Sequence, residues 1–134
     1  MRRGDAGAYA VDVTDDGLRL ALRASVFFNL GGALLFAFPN SLGRLAGLPG
    51  PAPRVYTAFI AALVLLFGGT YGWLASQPRI DRPLVAFSAL GKTSFFVVVA
   101  ACWLTGEVPG RAVLGAAGDL AFAAIFVRWL VAAA

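Results

Sequence analysis

The sequence predicts an all-α integral membrane protein, a four-helix bundle with up-down topology and both termini in the cytoplasm. Of its 134 residues, 60% are hydrophobic and 13% are charged, whereas soluble domains average about half apolar and about a quarter charged. Four apolar segments, each long enough to cross a bilayer core about 30 Å thick, occupy nearly the whole chain. We therefore predict one membrane domain over residues 18–131, preceded by a polar segment over residues 1–17.

Three of the four predicted spans end near a helix breaker. The first is stopped by Pro39, the second by Pro78, and the third by Gly106 and Pro109, because proline lacks the backbone N–H that continues a helix. We place the spans at residues 18–38, 55–76, 83–105 and 111–131.

The connection between the first two spans, residues 39–54, is too short and too rich in proline to cross the bilayer. Leu42, Leu45 and Leu48 recur at a spacing of three, which suggests a short helical turn lying in the membrane interface. An ordinary loop remains the alternative. The other two connections are short enough to force antiparallel neighbours.

The arginines predict the orientation of the bundle. With four spans both termini share a side, and cytoplasmic segments carry an excess of Lys and Arg. Seven arginines lie on the terminal side and three on the opposite side, so both termini are predicted in the cytoplasm. The seven are Arg2, Arg3, Arg19, Arg23, Arg79, Arg82 and Arg128, and the three are Arg44, Arg54 and Arg111. Three tryptophans near span ends fit interfacial anchors, namely Trp73, Trp103 and Trp129.

The composition excludes several kinds of site. The chain has no histidine and a single cysteine, Cys102, so it predicts no internal disulfide, no zinc site of the usual kind and no histidine-ligated haem. We expect no cofactor and no metal. The net charge of +4 comes from arginines scattered between apolar runs rather than clustered on one face, so no nucleic-acid partner is expected.

One lysine, Lys92, interrupts the third span in the stretch SALGKTSFF. It lies nine residues beyond Pro83, or about 13 Å into a core about 30 Å thick. Asp119 lies eight residues beyond Arg111, about 12 Å from the opposite surface. The two Cα levels then differ by about 5 Å, which a lysine side chain can span. Asn29, eleven residues into the first span, lies at nearly the same level.

These polar residues predict an intramembrane site. A Lys or Asp at the bilayer centre costs about 2.5 to 3.5 kcal/mol on insertion scales, so pairing of opposite charges is expected. Ser88 lies four residues before Lys92, on the same helix face. We predict a polar site of Lys92, Asp119, Asn29 and Ser88, in which Lys92 and Asp119 form an ion pair and Asn29 is a neutral partner.

Four glycines predict close contacts between helices. Gly68 and Gly72 form a small-xxx-small motif in the second span, and Gly115 and Gly118 share a side of the fourth span with Asp119. Because any small bundle needs close internal contacts, we favour intramolecular packing for Gly68 and Gly72 over a dimer seam.

Several short motifs, by their order and spacing, resemble those of small four-helix bacterial membrane proteins of the DoxX-like and related families. The motifs are FPNSLGRLAGLPG after the first span, GK at Gly91 and Lys92, TGEVP at residues 105–109, and GD at Gly118 and Asp119. The resemblance extends over residues 20–130. It implies the four-helix fold, a multi-pass location in the bacterial cytoplasmic (inner) membrane, and a lysine and an acid in spans three and four. It implies no catalytic assignment.

The sequence leaves three functions open. The lack of histidine, of a metal-ligand cluster and of a nucleophile with a base favours a structural or accessory subunit that packs against a larger membrane complex. Its partners would be the lipid bilayer and other membrane proteins or further copies of the chain. The second function is binding or transport of a proton, an anion or a small amphiphile in a midplane cavity lined by Lys92, Asp119 and Asn29. The third is a lipid-modifying enzyme with Asp119 as acid or base.

Overall fold

The computed structural model describes residues 14–132 and residue 134, and these residues form helices without any strand. In chain order they are α1 (Asp15–Ala37), a π-helical turn (Pro39–Gly43), α2 (Arg54–Ser76), α3 (Arg82–Leu104) and α4 (Gly110–Ala132). Each α-helix has 23 residues and is long and apolar enough to cross a membrane. At 1.5 Å per residue each extends about 35 Å, which exceeds the hydrocarbon core. The prediction of four apolar spans in a helical bundle is confirmed.

Helix α1 begins three residues earlier than the predicted span. The Thr14 hydroxyl accepts a hydrogen bond from the Gly17 N–H at 3.1 Å, which caps the helix. Asp15 and Asp16 lie in the first turn. Their negative charges interact favourably with the positive end of the helix dipole and stabilise the helix. Residues 15–17, at the carboxyl end of the predicted polar segment 1–17, are helical. Its residues 1–13 lie outside the described residues.

Helix α3 has clear signals at both ends. The Asp81 carboxylate accepts a hydrogen bond from the Leu84 N–H at 3.0 Å and caps its start. Beyond its last turn Gly106 adopts a φ of +82°, the left-handed conformation that glycine tolerates best. The Glu107 N–H then donates to the Cys102 carbonyl at 2.8 Å, which closes the helix end.

The connection between α1 and α2 folds back onto the start of α4. Gly47 has a φ of +87°, and a Cβ there would lie 3.3 Å from Arg111 Nε and closer still to Pro109. Arg111 donates from Nε to the Leu45 carbonyl at 3.2 Å and from Nη2 to the Arg44 carbonyl at 3.3 Å. Glycine at position 47 thus permits both the turn and the close contact. The connection contains a helical turn, but this turn is π-helical and lies at Pro39–Gly43. Its location in the membrane interface stays a prediction.

The helices pack as two pairs. Helix α1 packs mainly against α2 and α3 mainly against α4, α1 also contacts α4, and α2 and α3 approach one another at few positions. The dry core lies where the amino-terminal halves of α1 and α3 meet the carboxyl-terminal halves of α2 and α4. Its fully buried side chains are Leu18, Leu22, Tyr71, Leu74, Val85 and Phe126.

Side-chain hydrogen bonds connect the helices at the end of the bundle where this core lies. Arg19 donates to the Ala75 carbonyl at 2.7 Å, and Arg82 donates to the Leu130 carbonyl at 2.7 Å. Trp129 is 5% exposed and its indole N–H donates to Asp15 Oδ1 at 2.9 Å. The prediction that Trp129 is an interfacial anchor is therefore wrong, because its ring belongs to the packed core and its N–H has a partner inside the protein.

Candidate functional site

The structure brings Lys92, Asp119 and Asn29 together in the interior of the bundle. The Lys92 Nζ atom donates to Asp119 Oδ1 at 2.8 Å and to Asn29 Oδ1 at 3.1 Å. The three residues lie on α3, α4 and α1, and all are buried. The lysine and the aspartate form the predicted ion pair, and the amide is its neutral partner. One ammonium group thus connects three helices.

Asn29 also connects this cluster to α2. Its Nδ2 donates to the Val64 carbonyl at 3.1 Å, while its Oδ1 accepts from Lys92. The side chain is thereby oriented, because only the amide oxygen can accept from an ammonium group. A Cβ on Gly68 would lie 3.2 Å from the Asn29 Cβ. The glycine lets α1 and α2 approach closely enough for Asn29 to reach the centre of the bundle.

Three aromatic rings surround the ammonium group of Lys92. Its Nζ lies 4.9 Å from the ring centroid of Tyr71 and 5.2 Å from those of Phe28 and Phe122. These distances are within the range of about 6 Å at which a cation is attracted to the face of a ring. The rings supply part of the stabilisation that water would otherwise give to the ammonium group.

Tyr71 is the principal residue that the sequence analysis missed. It is 1% exposed. Its hydroxyl interacts electrostatically with the Asp119 carboxylate and lies within reach of the Asn29 amide. The sequence could have indicated Tyr71, because it lies three residues after Gly68 on α2 and residues at this spacing share a helix face. That face is the one that the small-xxx-small motif directs towards α1.

Ser88 is buried but does not join the cluster. Its hydroxyl donates to the Leu84 carbonyl of its own helix at 2.8 Å. The prediction that Ser88 belongs to the polar site is wrong, because the helix backbone four residues earlier satisfies its hydroxyl. On α1 Ser25 is also fully buried, and its Oγ has no hydrogen-bond partner among the described residues.

A cavity of about 520 Å³ adjoins the ion pair. Lys92 and Asp119 are the charged residues among those that line it, and Asn29 and Tyr71 add polar atoms. Apolar and small side chains from all four helices form the remaining wall. They include Gly31, Leu35, Phe36, Leu63, Phe67, Phe95, Val99, Ala112 and Gly115.

The connection between α1 and α2 closes the far end of the cavity. Ala46 and Leu48 line it there, beside the contacts that Arg111 makes with the same connection. Asp119 lies seven residues from Ala112 along α4, or about 10 Å. The cavity therefore extends through one half of the bundle, with the ion pair at its inner end and the packed core beyond that pair.

The cavity borders α2 and α3, which approach one another at few positions. These two helices meet where the Phe67 ring stacks on Phe87 at 5.8 Å and lies against Gly91. Farther along, Leu63 of α2 and Val99 of α3 line the cavity, and Leu63 is 54% exposed. Exposed residues therefore line the cavity on this side, as they also do on α1 and α4.

The four predicted packing glycines divide into two groups. Gly68 and Gly72 face α1, where a Cβ on Gly72 would lie 3.5 Å from Val26, so the favoured intramolecular packing is observed. A Cβ on Gly118 would overlap the Phe28 ring, only 2.6 Å from its Cζ. Gly115 differs, because a Cβ there meets nothing within 4 Å. The prediction of a packing role is wrong for Gly115, which lines the cavity instead.

The fold and the site together define a class, a small helical membrane bundle with a buried ion pair at the inner end of a partly open cavity. No protein-family model matches the chain, no curated protein matches its sequence, and no solved structure matches it. The resemblance to DoxX-like proteins stays a prediction. Residues 14–132 and 134 hold no group of three or more His, Cys, Asp or Glu side chains suited to a metal ion.

Proposed function

We propose that the protein binds a small amphiphile from the bilayer, with the apolar chain in the cavity and the polar end at Lys92 and Asp119. The observation that carries this proposal is the cavity of about 520 Å³ that ends at a buried ion pair. Small-molecule pockets measure about 300 to 1,000 Å³ and combine apolar walls with a few convergent polar groups. An ionisable residue at membrane depth is a functional candidate by default.

The ligand reaches the cavity sideways, between α2 and α3. These helices have few close contacts beyond the stacked rings of Phe67 and Phe87. Leu63 of α2 lines the cavity and is exposed. A lipophile dissolved in the bilayer can enter there without crossing water, whereas the folded connection held by Arg111 covers the end of the bundle.

The topology belongs to the same proposal. We expect up-down helices with both termini in the cytoplasm of a bacterial cell, since seven arginines lie on that side and three on the other. In this orientation the cavity occupies the outer half of the bilayer. The ion pair then separates it from the cytoplasmic half, where the core is packed.

The two other functions are less well supported by the geometry. A subunit whose ion pair only fixes helix order needs no cavity beside that pair, so the accessory role stays a prediction without a structural feature of its own. An enzyme that uses Asp119 as acid or base would have to release it from Lys92, which holds it at 2.8 Å.

Photolabelling tests the proposal. The protein is reconstituted in liposomes that contain a long-chain alcohol with a diazirine in its chain, and the labelled residues are mapped by peptide mass spectrometry. We expect labels on cavity residues such as Leu35 and Phe95. Gly115→Leu should abolish these labels, because its side chain would occupy open space in the cavity.

Gly69→Leu is the matched control. Gly69 also lies within a helix with nothing within 4 Å of an added Cβ, but it does not line the cavity. The two variants make the same change in helix propensity and volume. Labels that fall only on outward-facing residues, or that survive Gly115→Leu unchanged, would contradict the proposal.

A further inference from the structure

We infer that the cavity selects a lipophile with an uncharged polar end, a hydroxyl or a carbonyl group. This inference rests on the proposed function and adds the chemical class of the ligand. It follows from the charge of the site, from its unused hydrogen-bonding groups and from the small side chains that line it.

The site has no net charge. Lys92 and Asp119 are the charged residues among those that line the cavity, and their nitrogen and oxygen atoms are 2.8 Å apart. The two charges sum to zero. The site also stays neutral if the proton moves from the Lys92 ammonium to the Asp119 carboxylate. An anionic end group beside the pair would meet the Asp119 carboxylate, and a cationic one would meet the Lys92 ammonium. Both are disfavoured where the two side chains are buried.

Lys92 and Asp119 can make more hydrogen bonds than the ones they make to each other and to Asn29. An ammonium group has three donors, and Lys92 directs two of them to Asn29 and Asp119. A carboxylate can accept about four hydrogen bonds, and the contact with Lys92 uses one of those at Asp119. A hydroxyl can accept from the ammonium and donate to the carboxylate, and a carbonyl can accept from the ammonium. Neither group adds charge.

The walls near the pair leave space for a hydrocarbon chain. Gly31 and Gly115 line the cavity, and an added Cβ at either position meets nothing within 4 Å. Phe36 and Phe95, whose rings meet edge to face at 6.3 Å, also line the cavity. Open glycine surfaces beside aromatic rings suit an extended alkyl or isoprenoid chain, for which apolar contact is the main source of affinity.

Competition with chain-matched molecules tests the inference. The photolabelling of wild-type protein is repeated with an unlabelled alcohol, a methyl ketone, an alkyl sulfonate and an alkylamine, all at the same membrane concentration. The alcohol and the ketone should displace the probe. The sulfonate and the ammonium form of the amine should be at least about tenfold weaker competitors, because like charges in contact at a desolvated site are strongly disfavoured.

The variant Asp119→Asn separates charge from size. It removes the carboxylate and keeps the shape, so the Lys92 ammonium loses its counterion and the sulfonate should become the strongest competitor. If Asp119→Asn does not fold, the wild-type competition decides alone. A sulfonate or an amine that competes as well as the alcohol in the wild-type protein overturns the inference.

Failure of the proposed function would look different. Photoprobes with alcohol, sulfonate and ammonium ends are compared in the same liposomes. If none of them labels the cavity, the proposed function itself is contradicted. If only a charged probe labels it, the cavity binds an amphiphile and the assignment of an uncharged end group is wrong.

Discussion

Lys92 Nζ lies 2.8 Å from Asp119 Oδ1, and the two side chains are 2% and 10% exposed within the bundle. The pair joins α3 to α4, and Asn29 extends it to α1. A buried pair of this kind contributes less than its short distance suggests, because removing both charges from water offsets much of their attraction. Removing one partner alone is a different matter, since it leaves an uncompensated charge.

A double-mutant cycle measures this relationship. Lys92→Met and Asp119→Asn should each lower the free energy of unfolding in detergent, by about 3 to 5 kcal/mol for a broken buried pair. The double variant should lose clearly less than the sum of the two, because neither charge is then left alone. Independent, additive losses would show that the two side chains do not interact.

Asn29 and Ser88 make a second, contrasting pair of predictions. Asn29→Leu removes both the acceptor for Lys92 and the donor to the Val64 carbonyl. It should lower the free energy of unfolding by about 1 to 3 kcal/mol, since buried polar groups lose their partners. Ser88→Ala should change it little, because that hydroxyl bonds only its own helix. Equal effects of the two substitutions on reversible unfolding would contradict this division.

The two glycines of α4 should respond oppositely to alanine. Gly118→Ala should destabilise the bundle by about 1 to 3 kcal/mol, because its methyl group would overlap the Phe28 ring. Gly115→Ala meets nothing within 4 Å, so it should be neutral or stabilise by up to about 1 kcal/mol through helix propensity. Thermal unfolding in the same detergent compares them. A destabilising Gly115→Ala would mean that the cavity is closed at that point.

Cysteine labelling tests the orientation. In a Cys102→Ser background, Glu107→Cys lies between α3 and α4 and Ser76→Cys lies at the end of α2, both exposed. A membrane-impermeant maleimide added to right-side-out vesicles should label Glu107→Cys at once. It should label Ser76→Cys only after the membrane is permeabilised. The reverse order would place the termini outside the cytoplasm.

Much of this fold could be predicted because hydropathy and helix breakers act locally. Runs of about 20 apolar residues define the spans, and breakers such as Pro78 and Gly106 mark their ends. The proximity of Lys92 and Asp119 also follows from the sequence, because the rise of 1.5 Å per residue fixes their depth and charge makes them partners. The helix start at Asp15 was set by a capping residue, Thr14, outside the hydropathy pattern.

The cavity and its aromatic surroundings could not be predicted in this way. Every face of a membrane helix is apolar, so periodicity does not show which rings turn inward, and Phe28 and Phe122 gave no signal of their own. A glycine in a span is equally compatible with close packing, as at Gly118, and with open space, as at Gly115. Which of the two occurs depends on the length of the facing side chain on another helix.

The most direct test of the proposed site uses the fact that Lys92 is the single lysine of the chain. In bilayers, ¹⁵N-lysine labelling gives one side-chain nitrogen signal, whose distance to a long-chain alcohol with ¹³C at its first carbon can be measured by solid-state NMR. We expect a separation of about 4 Å or less, which corresponds to one hydrogen bond plus one covalent bond. It should be observed in the wild-type protein and in Gly69→Leu but not in Gly115→Leu. An alcohol carbon that gives no dipolar coupling to the Lys92 nitrogen at saturating concentration would contradict it.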